Sequence, residues 1–318
     1  MRNAFARALV EAGLADERVV LLTGDHGYAL FDDFRRVCPK QYVNAGVAEQ
    51  NMVGVAAGLA KAGFRPVVYG LSAFIPIRVL EQIKLDICYE NLPVVLIGDG
   101  AGVVYGTLGA SHQSTEDIAC LRALPHVSIL SPADAFEMAS CMELALRSSG
   151  PVYLRIGKAD LGPVHRRAPE VRWGQLVPVA RGPGPMAWVA TGSMVQTAIT
   201  ASANWPGSTV WSAPSLKPLS QNAVSALCRR FRVIVTLEEH SVFGGLGSAI
   251  SEIAAACGLA RVCAIGIRDR FSARCGSYSY LMNEHGLAPD QVQEQVERFL
   301  ARMHKTRAKT GRRAPVTP

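Results

Sequence analysis

Val94-Val-Leu-Ile97 is an unbroken apolar run that leads directly into Gly98-Asp-Gly-Ala-Gly102. A short apolar run without polar alternation is typical of a strand that is covered on both faces, as in a parallel sheet. Similar runs are found at 19–23, 66–71, 127–130, 152–156, 187–190, 209–212, 233–237 and 263–267. Because parallel strands need long crossover connections, which are usually helices, helical segments are expected between these runs.

Helical patterns do alternate with the apolar runs, at 48–62, 77–89, 133–148, 221–230 and 246–256. This alternation predicts the α/β class, with two doubly wound domains whose sheets are mostly parallel. Residues 161–185 are rich in Gly, Pro and Arg and show no sustained period, so they are predicted to be a linker. We therefore expect domains at 1–160 and 186–303, followed by a basic, disordered tail at 304–318.

The net charge of +7 is concentrated at one end of the 318-residue chain. Five basic residues lie within 304–318, where there is no acidic residue, so the rest of the chain is close to neutral. A charged terminus on a near-neutral body is usually a solvated face, so nucleic-acid binding is not expected.

Membrane insertion and secretion are not expected either. The sequence has no apolar run of 18 residues, and its first 13 residues predict an amphipathic helix rather than a signal peptide. The eight cysteines form no CxxC pair and no zinc-like spacing. They predict free thiols and a cytoplasmic location.

Four side chains are candidates for chemistry because they follow predicted strands or begin a predicted helix, where ligands of α/β sheets bind. Glu49 begins a helix of small residues, and His112 ends the Gly-rich segment that starts at Gly98. Phe74 and Arg78 follow the strand at 66–71. Three of them also have a structural interpretation: Glu49 as a partner of the helix dipole, Phe74 as a core aromatic and Arg78 as a surface residue.

These segments together resemble transketolase-like thiamine-diphosphate enzymes. Val47-Ala-Glu-Gln-Asn51, Ser72-Ala-Phe74 and Gly109-Ala-Ser-His-Gln113 are similar, in order and spacing, to the pyrimidine-binding domain of that family. The stretches 237–248 and 266–271 resemble its C-terminal domain. The resemblance covers about residues 1–300. It implies thiamine diphosphate as the cofactor.

The resemblance also implies roles for particular residues. Glu49 matches the glutamate that hydrogen-bonds the N1′ nitrogen of the aminopyrimidine, and Phe74 matches the aromatic that stacks on that ring. His112 matches a catalytic histidine near the reacting carbon. Asp25 and Arg78 are expected to assist in cofactor binding.

Three residues are assigned more loosely to the substrate: His26, Leu108 and His240. The family usually has an acidic pair where this chain has Gly106-Thr-Leu-Gly109, so Leu108 replaces a residue that contacts a sugar hydroxyl. A less polar or shorter substrate is therefore expected. His240 has the alternative interpretation of a residue that packs between the domains.

The family's metal site, a Gly-Asp-Gly followed by a downstream Asn, is not expected in this chain. Gly98-Asp-Gly100 matches its first half, but no Asn occurs at 123–131. No metal ligand is therefore assigned. Mg²⁺ and the diphosphate are expected on a separate partner subunit with the Gly-Asp-Gly and Asn motif, in an α2β2 assembly.

The expected function is transfer of a two-carbon ketol unit by this chain together with its partner. Two alternatives remain open. One is a decarboxylating 2-oxo-acid enzyme, of the deoxyxylulose-phosphate synthase or dehydrogenase-beta kind. The other is a non-catalytic assembly subunit.

Overall fold

The computed structural model describes residues 1–157 and 161–310, with side chains as far as residue 305. Its strands are β1 Val19–Thr23, β2 Tyr42–Asn44, β3 Arg65–Leu71, β4 Val95–Asp99, β5 Ser128–Leu130, β6 Val152–Ile156, β7 Val177–Ala180, β8 Met186–Ala190, β9 Thr209–Ser212, β10 Ser215–Lys217, β11 Val233–Ser241 and β12 Arg261–Ile267. Its α-helices are α1 Arg2–Ala15, α2 Asp32–Val37, α3 Glu49–Lys61, α4 Leu80–Gln82, α5 Asp117–Arg122, α6 Ala135–Leu146, α7 Met194–Ser202, α8 Gln221–Arg230, α9 Leu246–Cys257, α10 Tyr278–Glu284 and α11 Pro289–Thr310. Among these described residues, no helix is both long and apolar enough to cross a bilayer.

The N-terminal sheet has seven strands in the order β10-β5-β6-β4-β3-β1-β2. All its pairings are parallel except that of β10 with β5. The C-terminal sheet has the order β12-β11-β8-β9-β7 and is parallel except for the pair of β7 and β9. The predicted fold class, two α/β domains with mostly parallel sheets, is confirmed.

The two halves of the chain share one hydrophobic core. Met52 and Ile83 from the N-terminal half belong to the same buried cluster as Val224 and Ile250 from the C-terminal half. Strand β10 comes from the C-terminal half but extends the N-terminal sheet. The domains are therefore joined by apolar packing and by a shared sheet.

The structure differs from the sequence predictions at three places. The predicted linker, 161–185, contains strand β7, an edge strand whose burial alternates and which includes Pro178. The predicted helix at 77–89 is instead a succession of 3₁₀, α and π turns. The predicted disordered tail, 304–318, is wrong in part because α11 continues to Thr310, and 311–318 lie outside the described residues.

The missed strands share a physical cause. β2 and β10 have three residues each, and the four residues of β7 are only partly buried. Proline is tolerated on an edge strand because its missing N–H can face away from the sheet. Such short edge strands lack the continuous apolar run by which the buried strands are recognised.

Candidate active site

Three neighbouring strands of the N-terminal sheet, β4, β3 and β1, end at the same edge. The segments that follow them carry His112, Phe74 and His26, and α3 begins beside them with Glu49. Ligands of open α/β sheets bind at the carboxyl ends of strands. The topology therefore explains why residues far apart in the sequence converge here.

Glu49 is the first residue of α3 and is almost fully buried, at 6% exposure. Its Oε1 accepts a hydrogen bond of 3.0 Å from Nη1 of Arg78. Among the described residues, Oε2 of the same carboxylate has no hydrogen-bond partner. The site therefore offers one oxygen that is held in place and one that is available to a ligand.

The Phe74 ring lies at the centre of the site. The Arg78 guanidinium carbon is 3.8 Å from the centroid of this ring. The centroids of His112 and His26 are 5.4 and 5.7 Å from it, and the His112 ring is edge-on. His26 also approaches Asp25, with 3.2 Å between Nε2 and Oδ1. The structure thus brings together six of the eight residues selected from the sequence.

Leu108 lies on the same segment as His112 but faces solvent. It ends a 3₁₀ turn, Gly106–Leu108, and is 54% exposed. An exposed leucine offers an apolar contact and no hydrogen-bond acceptor.

His240 lies apart from this group, in β11 between the two halves of the chain. It is fully buried, and its Nε2 accepts a hydrogen bond of 3.2 Å from the Ala119 N–H. Its Nδ1 is 2.7 Å from the Ser241 carbonyl oxygen, so the ring is a neutral Nδ1–H tautomer. Burial lowers the pKa of His240 to about 4. The structure therefore favours the packing interpretation of His240.

The His240 pKa makes stability depend on pH. Because the folded value lies below the ordinary 6.5, the stabilisation is present above pH 6.5 and is lost as pH falls towards 4. We expect the stability advantage of the wild type over His240→Gln to shrink over this range, by on the order of 3 kcal/mol. Urea unfolding at pH 7.5 and pH 4.5 measures this change.

The neighbouring Glu238 serves as the internal check on that experiment. Burial raises its pKa to about 7, so its stabilisation is lost as pH rises from 4.5 towards 7, the opposite sign. Because Oε2 of Glu238 lies 3.6 Å from Nδ1 of His240, the two groups are coupled, and the comparison of wild type with His240→Gln is repeated in a Glu238→Gln background, where this opposing titration is absent. An advantage that does not change with pH would contradict the assignment of a neutral, buried His240.

Two buried polar groups behind the site were missed by the sequence analysis. The Asp99 carboxylate accepts hydrogen bonds from the hydroxyls of Tyr69 at 2.7 Å and Tyr105 at 3.0 Å. Arg155 forms a buried ion pair with Asp117, with 2.7 Å between Nε and Oδ2. The pairing of Asp99 with Tyr69 and of Arg155 with Asp117 could not be predicted from a local pattern, because the partners are 30 and 38 residues apart.

The site carries no recognisable metal centre of its own. Within the described part of the chain, no three His, Cys, Asp or Glu side chains are placed together to hold a metal ion. The Asp99 carboxylate, in the Gly-Asp-Gly stretch, is instead engaged by two tyrosines and lies 3.3 Å from Nε of Arg2.

Two family models match the chain. Residues 1–163 match the pyrimidine binding domain of transketolase, and residues 184–292 match the C-terminal domain of transketolase. The two matches cover most of the chain and fall on its two sheets.

Relatives and a solved structure agree with these matches. The chain is 33% identical to an apulose-4-phosphate transketolase subunit of Actinobacillus succinogenes, over 81% of this chain and 85% of that protein. It is 33% identical to a 1-deoxy-D-xylulose-5-phosphate synthase of Pelotomaculum thermopropionicum, over 96% of this chain but 49% of that protein. A structure described as a split gene transketolase, inactive beta4 tetramer, superimposes with a TM-score of 0.86 at 33% identity, covering 93% of this chain and 97% of that one.

Proposed function

This chain belongs to the transketolase family, as its motifs predicted, and we propose that it is one subunit of a two-component, thiamine-diphosphate-dependent transketolase-like enzyme. The complex transfers a two-carbon ketol unit between small carbonyl substrates. A partner subunit supplies the sites for Mg²⁺ and the diphosphate, in an α2β2 assembly. Closed two-fold arrangements are the commonest, which supports this stoichiometry.

The observation that carries the proposal is the geometry around Phe74. Glu49 is buried, and its Oε2 is available to a ligand because only Oε1 is bonded to Arg78. The Arg78 guanidinium and the His112 ring both contact the Phe74 ring in the same site. An assembly subunit without catalytic function has no need of this arrangement. The likeness to an apulose-4-phosphate transketolase subunit and to a split gene transketolase supports the division into two chains.

The side chains fit one half of thiamine diphosphate, its aminopyrimidine. When bound, this cofactor supplies a nucleophilic carbon and an electron sink for breaking bonds beside a carbonyl. Glu49 would hold a ring nitrogen of the aminopyrimidine by sharing a proton through Oε2, while Arg78 fixes the other oxygen. Phe74 would provide the aromatic surface for the ring, and His26, with its centroid 5.7 Å from that of Phe74, would line the site together with Asp25.

His112 and Leu108 face the substrate in this proposal. The His112 imidazole can hold a substrate oxygen or move a proton to and from it. Leu108 rejects a hydroxyl that needs an acceptor, which favours a less polar or shorter substrate than an ordinary sugar phosphate. We also propose a cytoplasmic location, supported by eight cysteines that are all free thiols.

The alternative function is decarboxylation of a 2-oxo acid, favoured by the likeness to the deoxyxylulose-phosphate synthase. One experiment separates it from ketol transfer. The chain is mixed with a candidate partner subunit that carries the Gly-Asp-Gly and Asn motif, and pairs of ketose donors and aldehyde acceptors are screened while CO₂ release from pyruvate is followed. We expect ketol transfer without CO₂; CO₂ from pyruvate without transfer between sugars would replace the proposal by its alternative.

Replacing Phe74 by leucine is expected to weaken cofactor binding without unfolding the chain. Stacking of aromatic rings adds about 0.5–1.5 kcal/mol beyond burial, so the affinity should fall about 2- to 10-fold. Titration of the assembled enzyme with thiamine diphosphate measures this. Phe64→Leu is the matched control, because Phe64 precedes β3 at the opposite end of the sheet. An equal loss in both variants would contradict a stacking role for Phe74.

A further inference from the structure

The segment 100–113, which carries His112, is held along its length by the C-terminal half of the chain. The Val103 N–H donates a hydrogen bond of 2.8 Å to Oε1 of Glu239. The Gly276 N–H donates to the Gly106 carbonyl at 3.2 Å. Near the end of the segment, the Ser272 hydroxyl donates to the Gln113 side chain at 2.7 Å. We call residues 100–113 the His112 loop.

Two glycines allow this close approach. Gly102 has φ +70°, and a Cβ placed there would lie 2.4 Å from Oε1 of Glu239. A Cβ at Gly106 would lie 2.2 Å from a methyl carbon of Leu281. Glycine suits both positions because it has no Cβ, and Gly102 in addition because glycine accepts positive φ at little cost. The His112 loop is thus shaped to fit against groups of the C-terminal half.

Glu239 is itself fixed. It lies in β11 and is 1% exposed. Its Oε2 accepts hydrogen bonds from the Ser193 hydroxyl at 2.5 Å and the Tyr278 hydroxyl at 2.7 Å. Its backbone carbonyl accepts one from Nη2 of Arg155 at 2.9 Å. A buried carboxylate with every bond satisfied is a rigid support for the loop amide.

We infer that Glu239 is a positioning residue that holds the His112 loop, and therefore His112, across the boundary between the two domains. The function of His112 rests on the function proposed above, but the holding of the loop does not. Through this carboxylate, the C-terminal domain holds the His112 loop, in addition to contributing to the shared hydrophobic core. His112 is expected to lose its position when the Val103 contact is lost, although the Glu239 carboxylate bonds Val103, Ser193 and Tyr278 and not His112 itself.

Hydrogen exchange tests this inference on the chain by itself. In Glu239→Ala we expect the amides of the His112 loop to exchange about 10- to 100-fold faster, the range expected for loss of a hydrogen bond to a charged group. Glu239→Gln keeps an acceptor oxygen and should restore most of the protection. Strands β1 and β3 should exchange as in the wild type.

Glu238→Ala is the matched control. Glu238 lies in the same strand and is equally buried, but its oxygens accept from the Leu246 and Gly247 N–H groups of its own domain. We expect no change in the His112 loop in this variant. Unchanged exchange in folded Glu239→Ala, or an equal rise in Glu238→Ala, would overturn the inference.

A second variant reaches the same contact from the loop. Gly102→Ala should collide with Glu239 and raise exchange in the loop as Glu239→Ala does. Gly63→Ala is its control, because Gly63 also has positive φ but no atom within 4 Å of a Cβ placed there. This pair keeps the test decisive if Glu239→Ala does not fold. Equal effects of both glycine variants on the loop would contradict the inference.

Activity of the assembled enzyme then separates this inference from the proposed function. With ketol transfer established, Glu239→Ala should lower kcat about tenfold or more, with little change in KM, and Glu239→Gln should recover most of the rate. If no transfer occurs with any pair of substrates, the proposed function fails, while the exchange data still decide whether Glu239 holds the loop. If transfer occurs and exchange in the loop is unaffected, only the inference fails.

Discussion

Glu49→Ala should abolish turnover of the assembled enzyme, lowering kcat by at least about 100-fold and by as much as about 10⁴-fold. The reason is the single available oxygen, Oε2, in a carboxylate that is buried and held by Arg78. Alanine cannot share a proton with a ring nitrogen, and no other described carboxylate is bonded to Arg78 or stacked beside Phe74. Initial-rate measurements with the partner subunit provide the test.

The control for this prediction is Glu143→Gln. Glu143 is an exposed glutamate on α6. Helices α6 and α1 pack on one face of the N-terminal sheet, and α3, which carries Glu49, packs on the other. Its replacement should leave kcat within about twofold, as is usual for surface substitutions far from a site. Full activity in a folded Glu49→Ala variant would remove the proposed mechanism.

Asp117→Ala should cost about 3–5 kcal/mol of the free energy of unfolding, because it leaves the Arg155 charge buried without its partner. Arg155 is 3% exposed and Asp117 fully buried, and Oδ2 of Asp117 also accepts a hydrogen bond of 2.8 Å from the Tyr153 hydroxyl. The pair lies beside the domain boundary, since Arg155 also bonds the Glu239 carbonyl. Urea unfolding at pH 7.5 measures the loss.

Two further variants complete that experiment. Asp33→Ala removes an exposed ion pair with Arg36, 2.9 Å long, and should cost less than about 1 kcal/mol. The double variant Asp117→Ala with Arg155→Met should recover part of the loss, because the uncompensated charge is gone. If Asp117→Ala lowers the free energy of unfolding no more than Asp33→Ala does, the stabilising role of the buried Asp117–Arg155 pair is contradicted.

Continuous apolar runs made the central strands predictable. The runs at 19–23 and 152–156 coincide with β1 and β6, since each of these residues is buried and the pattern needs no partner to be recognised. Strands β2, β7 and β10 were missed because short or edge strands carry a weaker pattern. The hydrophobic core that both domains share could not be predicted from the sequence either, because it depends on which apolar faces meet in the folded chain.

The candidate site was predictable to a similar degree. Six residues converge because strand ends of a parallel sheet meet at one edge, which follows from the fold class. The support of the His112 loop by Glu239 was not predictable, because Val103 and Glu239 are 136 residues apart. Nothing local distinguishes Glu239 from Glu238, although one bonds the loop and the other bonds its own domain.

The central claim, that this chain provides one half of a shared cofactor site, is tested most directly by calorimetric titration of thiamine diphosphate with Mg²⁺. The titration is run on this chain, on the partner subunit and on their mixture. We predict saturable binding by the mixture, with one cofactor for each pair of subunits, and at least about 100-fold weaker binding by this chain alone. Binding to this chain alone as tight as to the mixture would contradict the claim.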